Sequence, residues 1–245
     1  QKEQVEGGYN ASATSPSFGL MYKLNNNVSV YGNWMQGLIP GTEVSKKYAN
    51  KGQYLDPVKT TQREFGFKWD KGNLGGTLSY FHINQQVAYA DPVTNIYDYN
   101  GKQQSKGASF TVYGDVTEKL HLLGGMSFMN VKNIGGTYDG NRYCGTPKWI
   151  GTLAMTYDVT DAFSLNTRLM YNSSAWADNK NTKKIGAWTR LDLGAKYKWT
   201  NMKNPMTLSC NVINVLGHKY WYGAGDNSVY LGTPRTFVVS LGIDF

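Results

Sequence analysis

The chain has 245 residues, a formal net charge of +8 and a mean hydropathy of −0.47. Its length suits one large β domain, and the lack of any run near ~18 apolar residues excludes a transmembrane helix. The lysines and arginines form no basic helix or compact cluster, which argues against a nucleic-acid-binding protein.

Two-residue alternation of apolar and polar side chains predicts about eleven strands and no helix. In chain order the predicted strands cover residues 17–24, 28–36, 62–69, 75–89, 107–115, 119–132, 148–158, 163–174, 187–200, 205–214 and 235–245. Because neighbouring side chains of a strand point to opposite faces, several of these strands present one apolar face and one polar face.

The predicted connections alternate between short and long. Short turns rich in Asn and Asp occupy residues 24–27, 70–73, 115–118, 158–161 and 201–204. Long loops occupy residues 37–61, 90–106, 133–147, 175–186 and 215–234. This segregation is typical of outer-membrane barrels, which have short periplasmic turns and long external loops. It places residues 1–16 in an external loop.

The last predicted strand carries the clearest apolar stripe. Its alternating apolar residues are Phe237, Val239, Leu241, Ile243 and Phe245. A second pattern occurs in strand 187–200, where one face carries Arg190, Asp192, Lys196 and Lys198. Burying such charges without partners would cost several kcal/mol each, so this face needs water. The two patterns favour strands whose outer face meets lipid and whose inner face lines a wide, wet lumen.

An odd number of strands is awkward for a closed barrel. An antiparallel up-and-down barrel closes with an even count, and an open edge in lipid would leave backbone groups unpaired. Two expectations remain open: the chain is a fragment, or a further strand near residues 5–14 completes a small twelve-stranded barrel. The polar start at residues 1–6 predicts no signal peptide at this position.

Several sequence runs resemble TonB-dependent siderophore receptors. The runs are Val212–Trp221, Tyr230–Phe245, Tyr31–Thr42, Gln62–Lys68, Ser105–Asp115 and Leu122–Phe128. The first two are similar to the family's C-terminus, with its Asn-Val step, its Gly-x-Pro-Arg run and a closing strand that ends on Phe. One departure is Leu216-Gly217, which stands where the family has Phe-Asp. The nearest similarity is to receptors for hydroxamate-type ferric siderophores.

The resemblance implies an all-β, antiparallel up-and-down transmembrane β-barrel. Residues 1–245 would be the C-terminal half of a 22-stranded barrel, without the plug domain and the TonB box. Such a receptor imports ferric siderophore across the outer membrane of a Gram-negative bacterium, driven by the TonB–ExbB–ExbD complex through its N-terminal part. Its iron arrives as a chelate, so no resident cofactor or metal is expected. Membrane lipid and lipopolysaccharide would surround it. Many lysines fall in the predicted long loops, and they would either attract lipopolysaccharide or an anionic ligand or simply form a solvated loop surface.

The resemblance also suggests ligand-binding residues. The positions that match the family's last external loop are Trp221 and Tyr230, with Tyr220 and Tyr222 beside them, and Trp34 lies near the first long loop. Aromatic faces suit the apolar flanks of a chelate, and their OH and NH groups reach its polar atoms. The structural alternative is an interfacial aromatic girdle or loop packing.

Two other functions compete with a receptor: an outer-membrane hydrolase and a passive twelve-stranded pore. Hydrolysis needs a base beside a nucleophile or activated water, but His82, His121 and His218 are scattered along the chain. We therefore expect no enzyme and no catalytic residues. The number of cysteines permits a disulfide, but Cys144 lies in a predicted loop and Cys210 in a predicted strand, so their pairing stays open.

Overall fold

A computed structural model describes residues 2–5, 9–12, 14–199, 201 and 204–243 of the chain. The strands are β1 (Lys2–Val5), β2 (Tyr9–Ser12), β3 (Ser17–Asn25), β4 (Val28–Ile39), β5 (Val58–Lys71), β6 (Leu74–Ala90), β7 (Tyr97–Thr117), β8 (Leu120–Ile134), β9 (Trp149–Asp158), β10 (Phe163–Asn172), β11 (Ala175–Trp176), β12 (Lys184–Ile185), β13 (Trp188–Trp199), β14 (Met206–Ile213), β15 (Trp221–Gly225), β16 (Ser228–Leu231) and β17 (Thr236–Ile243). One 3₁₀ turn spans Gly136–Tyr138. In this described part, no helix is long and apolar enough to cross a membrane.

Eleven of these strands form one antiparallel sheet in the order β17-β14-β13-β10-β9-β8-β7-β6-β5-β4-β3. The chain runs up and down through the sheet, as the sequence predicts. Three small two-stranded sheets accompany it: β1–β2, β11–β12 and β15–β16. The last two lie within long loops, so all the short turns are at one end of the sheet and all the long loops at the other.

One predicted loop is largely strand. Strand β7 begins at Tyr97 instead of residue 107, so the predicted loop 90–106 shrinks to the residues between Ala90 and Tyr97. Strands β6 and β7 have 17 and 21 residues, and their hairpin extends past the loop ends of their neighbours. Residues 97–106 of β7 contain no aliphatic side chain, which removes the alternation that marks a strand while the backbone pairing continues.

Most large apolar side chains of the main sheet lie on one face. In the paired register Leu241 lies opposite Leu208, which in turn lies opposite Tyr197. These apolar side chains are exposed: Phe237 and Leu20 retain 73% and 78% of their accessible surface. A contiguous exposed apolar face of this size is a surface for lipid. The predicted stripe is confirmed from Phe237 to Ile243, and Phe245 lies outside the described residues.

The opposite face of the sheet carries most of the polar and charged side chains. Tyr31 donates its hydroxyl proton to Oε1 of Glu64 at 2.6 Å, and the hydroxyls of Ser109 and Ser127 are 2.7 Å apart. The charges predicted for β13 are on this face, where Asp192 lies opposite Arg168 of β10. We call this the lumen face and the apolar one the outer face.

Residues near the start of the chain do not extend the main sheet. Strands β1 and β2 pair only with each other among the described residues, so the alternative in which a strand near residues 5–14 completes a twelve-stranded barrel is wrong. The open question about the cysteines also has an answer. Cys144 and Cys210 are both free thiols, the first buried in the loops and the second exposed on the outer face.

Candidate functional site

An exposed aromatic hairpin stands at the loop end of the sheet. It consists of β15 and β16, which follow the loop that leaves β14. Trp221, Tyr222 and Tyr230 expose 52%, 46% and 58% of their surface. The rings of Tyr222 and Tyr230 lie directly across the two strands, with their centroids 5.7 Å apart. We call residues 221–231 the aromatic hairpin.

A β-bulge decides which aromatic residues of the hairpin lie together. The register shifts by one residue between Gly223 and Gly225, so Tyr222 pairs with Tyr230 and Trp221 pairs with Leu231. Residues opposite each other share a face, so Trp221 and Tyr230 lie on different faces of the hairpin. The sequence analysis placed Trp221 and Tyr230 together in one ligand site. It did not predict the bulge, because a bulge does not change the pattern of apolar residues.

Tyr220 is an anchor for the hairpin. Only 6% of its surface is exposed, unlike the three aromatic residues of the hairpin. Its ring stacks on Trp188 with centroids 4.3 Å apart, and its hydroxyl accepts a 3.3 Å hydrogen bond from Arg190. Gly232 packs beneath the ring, where an added Cβ would be 2.3 Å from it. Tyr220 therefore fixes the hairpin to β13 and is not available to a soluble ligand.

A carboxylate in the wall holds the start of the same loop. Asp192 accepts hydrogen bonds from Nη2 of Arg168 at 2.8 Å and from Nη2 of Arg190 at 3.0 Å. Its other oxygen accepts the backbone N–H of Asn214 at 2.8 Å. Asn214 in turn donates to the carbonyl oxygens of His218 and Thr233, both at 2.9 Å. Both ends of the loop are thereby tied to one residue.

The three long loops after β8, β10 and β14 interlock through backbone and amide groups. The N–H of Asn227 donates to the carbonyl oxygen of Ala177, and that of Asn179 donates to Asp226, both at 2.8 Å. Gly145 donates to the carbonyl oxygen of Trp176 at 2.7 Å. These hydrogen bonds join the three loops into one unit, and the aromatic hairpin is part of it.

The β10–β13 loop is organised around the buried carboxylate of Asp178. Burial raises its pKa, but hydrogen bonds from the backbone N–H of Lys183 and from the hydroxyl and N–H of Thr182 outweigh that effect, so the pKa lies below its usual value. Asp178 is therefore an anionic turn-former. Arg142 in the preceding loop is also occupied, because its Nη2 donates to the carbonyl oxygen of Thr146 at 3.3 Å. Burial lowers the pKa of Arg142.

The loops near the start of the sheet form a second body. The side chain of Asn50 bonds to both backbone groups of Tyr97, at 2.9 and 3.0 Å, and the rings of Tyr48 and Tyr97 stack at 4.5 Å. These aromatic residues pack loop against loop. Trp34 belongs to neither body: it lies on the outer face and stacks on Phe18, with centroids 5.8 Å apart. The structure does not bring Trp34 together with the aromatic hairpin.

His121 lies in an unexpected cluster at the short-turn end of the lumen face. Its Nδ1 is 2.5 Å from Oδ1 of Asp115, and its Nε2 is 2.9 Å from Oδ2 of Asp158. Both ring nitrogens are engaged by carboxylates, so neither is available to take a proton from a nucleophile. No group of three or more potential metal ligands comes together among the residues that the structure describes.

Comparison with known proteins identifies the family. The family model described as "TonB dependent receptor-like, beta-barrel" matches residues 2–215. The chain belongs to this family. TonB-dependent receptors are proteins of the Gram-negative outer membrane and are transport receptors rather than enzymes. This confirms the expected family, the barrel-type fold and the location.

Two curated relatives and one solved structure show how far the similarity reaches. The ferrichrome receptor FcuA of Yersinia enterocolitica is 30% identical over 98% of the chain, and the metal-pseudopaline receptor CntO of Pseudomonas aeruginosa is 27% identical over 95%. BauA, the ferric preacinetobactin receptor from Acinetobacter baumannii, superposes with a TM-score of 0.86 and 29% identity over 97% of the chain. The chain covers only 33%, 34% and 37% of the lengths of these three receptors.

Proposed function

We propose that this chain forms the C-terminal half of a complete 22-stranded receptor barrel and that the receptor binds and imports a ferric siderophore. The open sheet supports the first part, since each of β3 and β17 has only one neighbouring strand among the described residues. An unpaired strand edge cannot persist in lipid, so another part of a barrel must cover both edges. The remaining strands and a plug would come from a part of the receptor beyond these 245 residues.

The aromatic hairpin is the observation that carries the proposed ligand. Three large aromatic side chains are half exposed at the loop end, and the buried Tyr220 and the interlocked loops hold them in place. A surface that is fixed before binding loses little conformational freedom when a ligand arrives. Tyr222 and Tyr230 present one face of the hairpin and Trp221 the other.

The chemistry of these residues suits an iron chelate. Their rings would cover the apolar flanks of the ligand, while two phenol hydroxyls and one indole N–H would bond to its polar atoms. The metal would arrive fully chelated, so the chain needs no metal ligands of its own. We favour a hydroxamate-type siderophore, which the similarity to a ferrichrome receptor supports. Energy would come from the TonB–ExbB–ExbD complex, acting on a plug outside this chain.

The test measures uptake of iron-55 ferrichrome at limiting concentration in cells whose only siderophore receptor is the complete barrel that contains this chain. Trp221→Ala and Tyr230→Ala should each reduce the affinity for ferrichrome by roughly 30-fold, the size typical of aromatic anchors that a ligand buries. Trp34→Ala is the matched control, because it removes the same kind of ring from the outer face. A ferric tris-catecholate in place of ferrichrome tests the ligand class.

The result can contradict the proposal in two ways. Unchanged uptake in both hairpin variants, at normal surface abundance, would remove the aromatic hairpin from the ligand site. Loss of uptake in Trp34→Ala alone would move the site to the other end of the sheet.

A further inference from the structure

His121 joins three neighbouring strands at the short-turn end of the lumen face, which is the periplasmic side of a receptor barrel. It lies near the start of β8, directly opposite Asp115 near the end of β7. Its Nδ1 contacts Asp115, and its Nε2 contacts Asp158, the last residue of β9, at 2.9 Å. A backbone bond accompanies these contacts, because the N–H of Asp158 donates to the carbonyl oxygen of Lys119 at 2.8 Å. We call Asp115, His121 and Asp158 the histidine latch.

The two contacts determine which form of the ring the histidine latch requires. An ionised carboxylate only accepts hydrogen bonds, so a ring nitrogen that bonds to one must carry a proton. A neutral imidazole has one N–H, whereas an imidazolium has two. His121 can therefore bond to both carboxylates only as the cation. Because 40% of its side chain is exposed, the ring can exchange this proton with water.

A polar cavity of about 280 Å³ adjoins the histidine latch and shares Asp158 with it. Lys196 and Lys198 of β13 line the same cavity, and neither forms an ion pair in the described part of the chain. Asp158 therefore has two possible sets of cationic partners, His121 on one side and the two lysines on the other.

The charges around the histidine latch and the cavity balance only when His121 is protonated. Four carboxylates stand against three lysines and the ring of His121: Asp115, Glu118, Asp158 and Asp161 against Lys119, Lys196 and Lys198. The next titratable side chain on the lumen face of β7 is Tyr113, one row farther from the short turns. Loss of the proton from His121 would leave an unmatched negative charge, which makes the arrangement sensitive to pH.

We propose that the histidine latch holds the periplasmic rim of the lumen closed only while His121 is protonated. The imidazolium then binds Asp115 and Asp158 and keeps the ends of β7, β8 and β9 together. Loss of the proton leaves a nitrogen lone pair facing a carboxylate, which repels it. Asp158 then turns to Lys196 and Lys198 across the cavity, and the two short turns loosen.

The direction of the pH effect follows from the proton. Because the closed state needs the added proton, it is present at low pH and is lost as the pH rises. The range from about pH 6 to about pH 9 covers the loss of a proton from a histidine that two carboxylates hold. The histidine latch lies at the opposite end of the sheet from the aromatic hairpin, so it is independent of siderophore binding.

The experiment measures amide hydrogen exchange by mass spectrometry in the complete barrel that contains this chain, purified in neutral detergent. Residues 157–163 include the N–H of Asp158, whose bond to Lys119 lies beside the histidine latch. After correction for the intrinsic pH dependence, their exchange rate should rise roughly fivefold between about pH 6 and about pH 9. This is the size expected for the loss of a partly exposed ion pair.

Three variants separate the parts of the proposal. In His121→Gln the side chain cannot titrate in this range, so residues 157–163 should exchange at both pH values close to the wild-type rate at the higher pH. The matched control His218→Gln changes the same kind of residue in an external loop and should keep the wild-type pH dependence. Lys196→Gln/Lys198→Gln removes the second partner of Asp158, so it should exchange like wild type at the lower pH and faster than wild type at the higher pH.

Three results would overturn the proposal: no pH dependence in wild type beyond the intrinsic one, an unchanged pH dependence in His121→Gln, or wild-type exchange of the lysine double variant at the higher pH. Heat-modifiable migration in gels verifies folding. If His121→Gln does not fold, Asp158→Asn replaces it. Its exchange at the lower pH should rise toward the wild-type rate at the higher pH, and an unchanged rate would contradict the histidine latch. Ferrichrome should bind all variants alike, so a failure of siderophore binding would leave these results intact.

Discussion

The backbone N–H of Asn214 donates to Oδ1 of Asp192 at 2.8 Å, and this bond joins the wall of the sheet to the loop that carries the aromatic hairpin. Asp192 is only 8% exposed and is bracketed by two arginines. Arg190 continues the chain of contacts to the hydroxyl of Tyr220. A lumen charge therefore positions the exposed aromatic residues without touching them.

Replacing Asp192 should loosen the hairpin. Asp192→Ala removes the carboxylate beside Arg190 and the acceptor of the Asn214 N–H. We expect a loss of about 2–3 kcal/mol in unfolding free energy, less than for a fully buried pair because Arg168 is half exposed. Trypsin cleavage after Lys219 should become faster. Asp192→Asn keeps an oxygen for Asn214 and should be cleaved more slowly than Asp192→Ala. Lys198→Gln, on the same strand face, is the control, and equal cleavage of all three would contradict the link.

The contact between Gly232 and Tyr220 gives a second prediction. In Gly232→Ala the new Cβ would be 2.3 Å from the Tyr220 ring, and such overpacking typically costs about 1–3 kcal/mol. The ring must shift, so ferrichrome affinity and protection of Lys219 from trypsin should both fall. Gly186→Ala in the neighbouring loop is the control, because its Cβ would meet nothing within 4 Å. Tyr220→Leu combined with Gly232→Ala should recover part of the loss, and strictly additive effects would exclude the contact as the cause.

The sequence predicts the main sheet well because each crossing strand meets lipid on one side and water on the other. Apolar residues therefore alternate with small or polar ones along each strand, as from Phe237 to Ile243, and this alternation can be recognised within a single segment of sequence. The prediction fails at residues 97–106, where the β6–β7 hairpin extends beyond its neighbours and β7 has no aliphatic side chain. Backbone hydrogen bonds still form the strand there, but no side-chain pattern reports them.

The candidate site is less visible in the sequence, because its geometry depends on contacts between distant segments. The bulge at Gly223 and Gly225 reverses the predicted grouping of Trp221 with Tyr230. The burial of Tyr220 depends on Trp188, 32 positions earlier in the chain. The alternation places Asp192 on the lumen face but gives no sign of its bond to Asn214. Composition and motif similarity locate the aromatic residues, while the fold decides which of them a ligand reaches.

The pKa of Asp178 predicts a pH-dependent loop. Because the folded pKa lies below the unfolded value, the carboxylate contributes stability above the unfolded pKa, and this contribution is lost as the pH falls through the folded pKa. The rate of hydrogen exchange of residues 176–185, corrected for its intrinsic pH dependence, should rise as the pH is lowered from about 5 to below about 4. Asp178→Asn should exchange faster at pH 6 and lose the pH dependence. Asp91→Asn, in the loop after β6, is a control that should leave these residues unchanged.

The two free thiols should differ sharply in reactivity. Burial raises the pKa of the Cys144 thiol to about 11, so almost no thiolate exists at pH 8. Cys210 is exposed on the outer face. When the barrel is purified in detergent, a small apolar maleimide can reach this thiol. We expect mass spectrometry of the folded barrel to find the label on the peptide with Cys210 within minutes and on the peptide with Cys144 only after denaturation. Unfolding without a reductant should make both thiols fully reactive, whereas a peptide pair linked by a disulfide would contradict the structure.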